Sequence, residues 1–164
     1  MAKAPEPILF LTCGGTIDKV NFATELNDQV GDPQIKVILA NSRLSVPYEI
    51  ESVFAKDSNR VDEADLEALR TGITNASVRR IVVTYGTDRM VEAARSVGNT
   101  AGKTVVFTGA MIPYRFRDSE AVFNIGSAVL AAQFLDPGVY IVMHGRVFDP
   151  KETRKNMGIS MFEE

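Results

Sequence analysis

Four short runs in this chain are continuously apolar and β-rich, and they constrain the fold more than any other feature. They span residues 8–11, 81–83, 105–107 and 139–143, and residues 50–54 form a weaker fifth candidate. Runs of this length without polar–apolar alternation are typical of strands that are buried on both faces of a parallel sheet. We therefore expect a mainly parallel sheet that is covered on both sides.

Helical patterns separate these runs. Apolar residues recur with helical spacing over residues 62–71, 90–97 and 122–135, and Pro33 is placed to be the first residue of a further helix that runs to about Leu39. Strands alternating with helices predict βαβ units. The predicted fold class is α/β, a doubly wound, mainly parallel sheet with helices on both faces, as in Rossmann-like or flavodoxin-like three-layer sandwiches. A chain of 164 residues suits a single domain, which we place over residues 1–164.

Composition narrows the expected partners and location. The net charge is -3 and the basic residues are scattered among acidic ones, so no nucleic-acid partner is expected. No apolar stretch approaches the roughly 20 residues that cross a membrane, and residues 1–7 lack the apolar core of a signal peptide. The single cysteine, Cys13, fits a reducing cytoplasm. With one histidine, His144, and no spaced cysteines, neither a metal site nor a cofactor is expected.

The polar residues just after the predicted strands carry the candidate chemistry, because ligands of open α/β sheets bind beyond the carboxyl ends of the strands. These residues are hydroxyls, glycines and one carboxylate: Thr12, Gly14, Gly15, Thr16, Thr84, Gly86, Thr87, Asp88, Thr108 and Gly109. Together they offer a nucleophile, a base and backbone donors for an oxyanion, which acyl transfer requires. Residues 18–32 have little periodicity and predict a long loop, and loops of that length in a compact domain are usually functional or mobile.

Each of these signals also has a purely structural interpretation. Two glycines after a first strand are more often a tight turn, and they could instead hold a phosphate, although neither G-x-G-x-x-G nor a P-loop is present. Thr87 and Asp88 could act as a helix N-cap. Lys155 is of a type that usually lies in solvent, and Cys13 is most simply a small buried residue.

Four segments, taken together, resemble the bacterial-type L-asparaginases. Residues 11–17 resemble the family's T-G-G-T-I segment, and residues 85–90 resemble its H-G-T-D-T-M segment. Residues 108–113 and 119–124 are similar to G-A-M-x-P and S-D-A-x-x-N, and Lys155 falls where the family has a catalytic lysine. The segments occur in the family's order over nearly the whole chain. The chain is therefore similar to a short-chain member that corresponds to the family's N-terminal domain, with the second domain absent.

This resemblance implies hydrolysis of L-asparagine to L-aspartate and ammonia. Thr16 matches the family's nucleophile, while Thr87, Asp88 and Lys155 match the relay that acts as its general base. The positions that match substrate-binding residues are Gly15, Asp57, Ser58, Gly86 and Ala110. The resemblance also implies asparagine and aspartate as ligands and a homodimer or homotetramer, to which the apolar stretch 122–135 would contribute.

The sequence departs from the family at several polar positions. Tyr85 stands in place of a histidine, Arg89 replaces the threonine after Asp88, and Glu120 replaces an aspartate. Residues 17–32 contain no tyrosine, although the family places one there against the nucleophile. Two alternatives therefore stay open: a catalytically weak or retired domain that binds aspartate or asparagine, and a nucleotide-binding module of the same fold class.

Overall fold

The secondary structure alternates strands and helices as the sequence predicts. The computed structural model describes residues 5–21 and 30–164. Its strands are β1 (Ile8–Gly14), β2 (Tyr48–Lys56), β3 (Arg80–Thr84), β4 (Thr104–Thr108), β5 (Gly138–Met143), β6 (Arg146–Phe148), β7 (Arg154–Asn156) and β8 (Met161–Glu163). Its α-helices are α1 (Ile35–Asn41), α2 (Glu63–Asn75), α3 (Met90–Ser96) and α4 (Ala121–Phe134). The five predicted strands correspond to β1 to β5, each extended by one or more residues.

The sheet topology determines where a ligand can bind. Within the described residues, six strands lie in the order β2-β1-β3-β4-β5-β6, with β1 to β5 parallel and β6 antiparallel to β5. The strand order reverses between β1 and β3, because the chain passes to β2 on one side and then returns to β3 on the other. Folds of this kind bind ligands at the carboxyl ends of the strands flanking such a reversal.

Two separate apolar cores cover the two faces of the sheet. On one face the buried side chains of α2 and α3, such as Leu69 and Ala93, pack against Leu11 and Val83. On the other face α1 and α4 pack against alternate residues of the same strands, which are Phe10 and Val82. Since β1, β3 and β4 are almost completely buried, the continuous apolar runs are explained, and the predicted three-layer architecture is confirmed.

Three local features differ from, or extend, the predictions. Pro33 is not the first residue of a helix: α1 begins at Ile35, because the backbone N–H of Gln34, its N-cap, donates to the carboxylate of Asp18. Strands β6, β7 and β8 were not predicted, since each has only three residues and no continuous apolar run. In the predicted loop 18–32, residues 22–29 lie outside the described residues, and Lys19 pairs with Val30 across their flanks.

The fold also bears on membrane spans and metal sites. None of the helices in the described ranges is long and apolar enough to cross a membrane. Over the same ranges, no group of three or more histidine, cysteine, aspartate or glutamate side chains is arranged to hold a metal ion.

Candidate active site

Three turns come into backbone contact at the strand-order reversal. Gly15, after β1, has φ of +86°, and a Cβ atom built on it would lie 2.4 Å from the Cα of Gly86, which follows β3. A Cβ atom on Gly86 would in turn lie 2.6 Å from that of Ser58, which follows β2. Because glycine has no Cβ atom, the backbone at Gly15 can approach Gly86 this closely, and Gly86 can approach Ser58.

A hydroxyl, a carboxylate and an ammonium group meet beside these turns. Lys155 Nζ donates to Thr87 Oγ1 at 2.9 Å and to Asp88 Oδ1 at 2.5 Å. Thr87 is buried and the Lys155 side chain is 8% exposed, so Lys155 is not the solvated lysine that its type suggests. Thr87 and Asp88 are not helix caps either, because α3 begins at Met90 with Arg89 as its N-cap and with no capping hydrogen bond from a side chain.

The segment that carries Lys155 is fixed from two sides. Lys155 lies on β7, which pairs with β8 in a short antiparallel hairpin. The guanidinium of Arg95 on α3 donates to the backbone carbonyls of Pro150 and Thr153, just before β7. These contacts place Lys155 against a turn that lies 67 residues earlier in the sequence.

The carboxylate of Asp88 is held in its charged form. Burial acts to raise the pKa of Asp88, but hydrogen bonds from Lys155 and from the side-chain amide of Asn59 outweigh it and lower that pKa below its usual range. Asn59 Nδ2 lies 3.0 Å from Asp88 Oδ2, so each carboxylate oxygen has its own donor. At neutral pH Asp88 is therefore an anion positioned by two neighbours.

Asp57 takes part in a second ion pair near Ser58. Its Oδ2 lies 2.7 Å from Lys19 Nζ, and its Oδ1 accepts the backbone N–H of Asn59 at 2.9 Å. Burial acts to raise the pKa of Asp57, but these bonds lower it overall. Both oxygens of Asp57 are thus engaged within the protein, and the pair ties the segment after Thr16 to the turn that carries Ser58.

Thr16 lies at the start of a short 3-10 helix, Thr16–Asp18, directly after Gly15. It is partly exposed, and its hydroxyl forms no hydrogen bond with any residue in ranges 5–21 and 30–164. Two residues later, Asp18 is 2% exposed, and burial raises its pKa to about 7 although the N–H of Gln34 opposes that shift. The fold therefore puts Thr16 next to the Gly15–Gly86 contact, with no hydrogen bond to Lys155.

The residue that follows β4 and its neighbours complete the edge of the site. Ala110 is buried, and it follows Gly109, at which a Cβ atom would lie 2.5 Å from the carbonyl oxygen of Tyr85. The carbonyl of Gly109 accepts the side-chain N–H of the fully buried Asn124 at 3.0 Å. The turn that carries Ala110 is thus fixed against the turn that carries Gly86.

Two departures from the family pattern have structural explanations. Tyr85 points into the apolar core, where its ring packs edge-on against Phe54 and Phe107. Arg89 Nε lies 2.7 Å from the carboxylate of Glu92, so its charge is paired on α3 and not directed at Lys155.

Comparison with known proteins identifies the family. Residues 7–161 match the model of the asparaginase N-terminal domain. The chain belongs to the asparaginase family. Among curated relatives, a glutamyl-tRNA(Gln) amidotransferase component from Methanococcus vannielii is 39% identical over 85 residues, which cover 51% of this chain and 20% of that protein.

Solved structures from the asparaginase family share the fold. L-asparaginase I of Vibrio cholerae superposes with a TM-score of 0.83 at 22% identity, covering 98% of this chain and 51% of that one. The thermostable L-asparaginase of Thermococcus kodakarensis gives a TM-score of 0.83 at 23% identity, over 96% of this chain and 50% of that one. A probable cytoplasmic L-asparaginase of Campylobacter jejuni gives 0.81 at 22%, over 96% and 52%. The chain thus spans about half the length of these structural relatives.

Sequence reasoning missed two residues that the fold brings to this site. Asn59 holds Asp88, and Lys19 holds Asp57. Asn59 directly follows Ser58, so its place in a candidate binding turn was a usable signal. Lys19 had no such signal, because its partner is 38 positions away in sequence and only the fold brings the two together.

Proposed function

We propose that this chain hydrolyses L-asparagine to L-aspartate and ammonia, with Thr16 as the nucleophile. The observation that carries the proposal is the cluster in which Lys155 Nζ contacts both Thr87 and Asp88, beside the turn that presents Thr16. A buried ammonium between a hydroxyl and a carboxylate is suited to moving protons. Membership of the asparaginase family gives the reaction class.

The proposed reaction has two covalent steps. The Thr16 oxygen attacks the side-chain amide carbon, its proton passes to the departing nitrogen, and the C–N bond breaks to release ammonia. This leaves a β-aspartyl ester on Thr16. Water then attacks the ester carbon, its proton returns to the threonine oxygen, and the C–O bond breaks to give L-aspartate. Thr87, Asp88 and Lys155 act as the general base that carries these protons.

Backbone donors supply the stabilisation that both tetrahedral intermediates require. The contact of Gly15 with Gly86 brings two turns side by side. The backbone N–H of Gly15 donates to the carbonyl of Lys56, so we assign the donor role to backbone N–H groups of the turn at Gly86. Loss of one such donor typically lowers kcat by about 10²–10³. Ser58 and Asp57 take part in binding the substrate, Asp57 through its turn, and the carbonyl of Ala110 receives the side-chain amide.

The charges around the site match a zwitterionic amino acid. The pairs Lys155–Asp88 and Lys19–Asp57 place two cations and two anions around the three turns. Asp88 is 38% exposed, so part of its carboxylate faces solvent and is available to the α-ammonium group of the substrate. The charges of a zwitterion cancel, so its binding leaves the net charge of the site unchanged.

The decisive experiment measures ammonia released from L-asparagine by the purified protein, with Thr16→Ala as the matched control. We expect saturable release by the wild-type chain, no release above background by Thr16→Ala, and partial activity in Thr16→Ser, which keeps the hydroxyl. Equal release by wild type and Thr16→Ala would refute the proposal.

Saturable L-aspartate binding without turnover would support the retired binding domain instead. A melting temperature raised by nucleotide but not by aspartate would support the nucleotide-binding module.

A second candidate function follows from the amidotransferase relative. The identity of 39% over 85 residues favours a chain that releases ammonia for a partner enzyme to consume. An amidase of that kind depends on its partner, whereas the asparaginase proposed above works alone. Ammonia release by the isolated chain at full rate, unchanged by any added acceptor enzyme, would exclude this candidate.

We further propose that copies of the chain associate as a homodimer or homotetramer through α4. All of its residues are uncharged, and Phe123, Leu130 and Phe134 are 60%, 59% and 83% exposed. Monomers rarely expose apolar patches of more than a few hundred Å², and a stable interface covers about 800 Å² per partner. Light scattering should give a dimer or tetramer for the wild type and a smaller species for Phe134→Glu; a wild-type monomer at micromolar concentration would contradict the proposal.

A cytoplasmic location also stays a prediction.

A further inference from the structure

His144 occupies an unusual position at the same edge of the sheet. It and Gly145 form the two-residue loop between β5 and β6, where Met143 pairs with Arg146. The φ angles of His144 and Gly145 are +56° and +74°. Two successive positive φ angles define a type I′ turn, for which asparagine followed by glycine is the preferred pair. The backbone conformation therefore does not require a histidine, and what distinguishes His144 from asparagine here is the set of contacts that its ring makes.

The side chain of His144 is partly buried. Its Nε2 atom is buried and has no hydrogen-bond partner among the residues that the structure describes. The ring centroid lies 5.9 Å from that of Phe162, with 38° between the ring planes, and Phe162 is buried on β8. The ring therefore packs against the hairpin that contains Phe162.

That hairpin carries Lys155. Phe162 on β8 is the register partner of Lys155 on β7. The ring of His144 thus supports, through one intervening residue, the strand pair that brings Lys155 to Thr87 and Asp88. The backbone N–H of His144 donates to Asn124, whose amide also binds the carbonyl of Gly109. His144 is in this way tied to both the Lys155 hairpin and the Ala110 turn.

Two charged groups act on the ring within the described part of the chain. Glu120, just before α4, favours the protonated ring, and Lys155 on β7 disfavours it. Burial is the largest influence and lowers the pKa of His144 below its usual 6.5, and Lys155 adds to that shift. The ring is therefore neutral at pH 7 and above.

We propose that His144 is a positioning residue for Lys155, which its neutral ring supports and its protonated ring displaces. A protonated ring would bring a donor to Nε2 where the described residues offer no acceptor, and it would add a second cation near Lys155. A protonated ring lowers its free energy by moving away from Phe162. That movement loosens the hairpin of β7 and β8 and withdraws Lys155 from Thr87. This inference rests on the proposed amidase function for its catalytic consequence, but not for its structural part.

The structural part is tested by ¹H NMR titration, because the chain has one histidine and its ring signals need no assignment. We expect a midpoint below pH 6.5 in the wild type and a higher midpoint in Lys155→Met, which removes the nearby cation. Lys151→Met removes an exposed lysine of the same segment and should leave the midpoint unchanged. An identical midpoint in wild type and Lys155→Met would overturn the proposal, whether or not the chain releases ammonia.

The catalytic part is tested by the pH dependence of ammonia release in His144→Asn. Asparagine suits the type I′ turn, so this variant keeps the backbone while losing the ring. We expect kcat to fall more steeply below pH 6.5 in the wild type than in the variant, and we expect the variant to be about tenfold slower at pH 8, because a displaced catalytic group is costly. Groups other than His144 titrate in both proteins and contribute equally to both pH profiles, so the difference between the profiles reports on His144. The same acid loss in both would overturn the proposal.

Discussion

Replacing Lys155 with methionine removes an ammonium group that contacts both Thr87 and Asp88. Methionine keeps a long apolar side chain in a site that is 8% exposed, so the change deletes the charge with little loss of packing. Asp88 is 38% exposed and keeps its hydrogen bond to Asn59, so water can solvate what remains of its carboxylate. We therefore expect the variant to fold, with a melting temperature close to that of the wild type.

Catalysis should suffer far more than folding. A positioned general base contributes about 10²–10⁴ to the rate, which corresponds to about 3–5 kcal/mol of activation free energy. Ammonia release at saturating L-asparagine should fall by that factor in Lys155→Met. Because methionine also removes a positive charge, this variant alone does not separate proton transfer from electrostatics.

Lys155→Arg makes that separation. Arginine keeps the charge and can pair with Asp88, but it cannot give up a proton at neutral pH. If Lys155 moves protons, arginine should lose nearly as much kcat as methionine, while circular dichroism and thermal melting stay close to the wild type. An arginine variant that retains more than about a tenth of the wild-type kcat would refute the role of Lys155 in general-base catalysis.

Three further predictions concern single side chains near the site. The carboxyl of Asp18 has a pKa near 4 in the unfolded chain, and burial raises that pKa to about 7 in the folded protein. The protonated carboxyl therefore contributes its full stabilisation below pH 4, and that stabilisation is lost as the pH rises through 7. Asp18→Asn should therefore have a larger free energy of unfolding than the wild type at pH 8, by up to roughly 4 kcal/mol, and hence a higher melting temperature, with a difference that narrows toward pH 5. Equal melting temperatures at both pH values would contradict this. Gly86→Ala places a Cβ atom 2.6 Å from that of Ser58, so overpacking should cost about 1–3 kcal/mol in urea unfolding and lower the rate of ammonia release. Asn59→Leu removes a donor to Asp88, and since hydrogen bonds to charged groups contribute about 1.5–3 kcal/mol, kcat should fall about tenfold or more, whereas an unchanged kcat would remove Asn59 from the site.

The fold was largely predictable because its central strands β1, β3 and β4 are buried on both faces. Continuous apolar runs at β1, β3, β4 and β5 need no partner information, and the alternation with helices gives the layers. The hairpin of β7 and β8 escaped prediction because its six residues follow no apolar pattern and are held by Arg95 and by the contact of Phe162 with His144. Contacts of that kind depend on distant parts of the chain and leave no local signal.

The residues of the candidate site likewise divide into those that the sequence predicts and those that only the fold reveals. Motif resemblance selects Thr87, Asp88 and Lys155, and the fold brings these three together by direct hydrogen bonds. The Lys19–Asp57 pair belongs to two turns that no short motif links, so only the folded chain reveals it. The catalytic roles proposed for Thr16 and its neighbours are tested by the experiments described here.

Trapping the covalent intermediate addresses the nucleophile most directly. The protein would be mixed with L-asparagine, quenched in acid within one turnover, digested and analysed by mass spectrometry, with Thr16→Ala treated in parallel. If Thr16 attacks the amide, the peptide that contains residues 11–17 carries an aspartyl ester in the wild type and none in the variant. An adduct on the peptide that contains Thr87, or ammonia release with no adduct on any peptide, would contradict the assignment of Thr16 as the nucleophile.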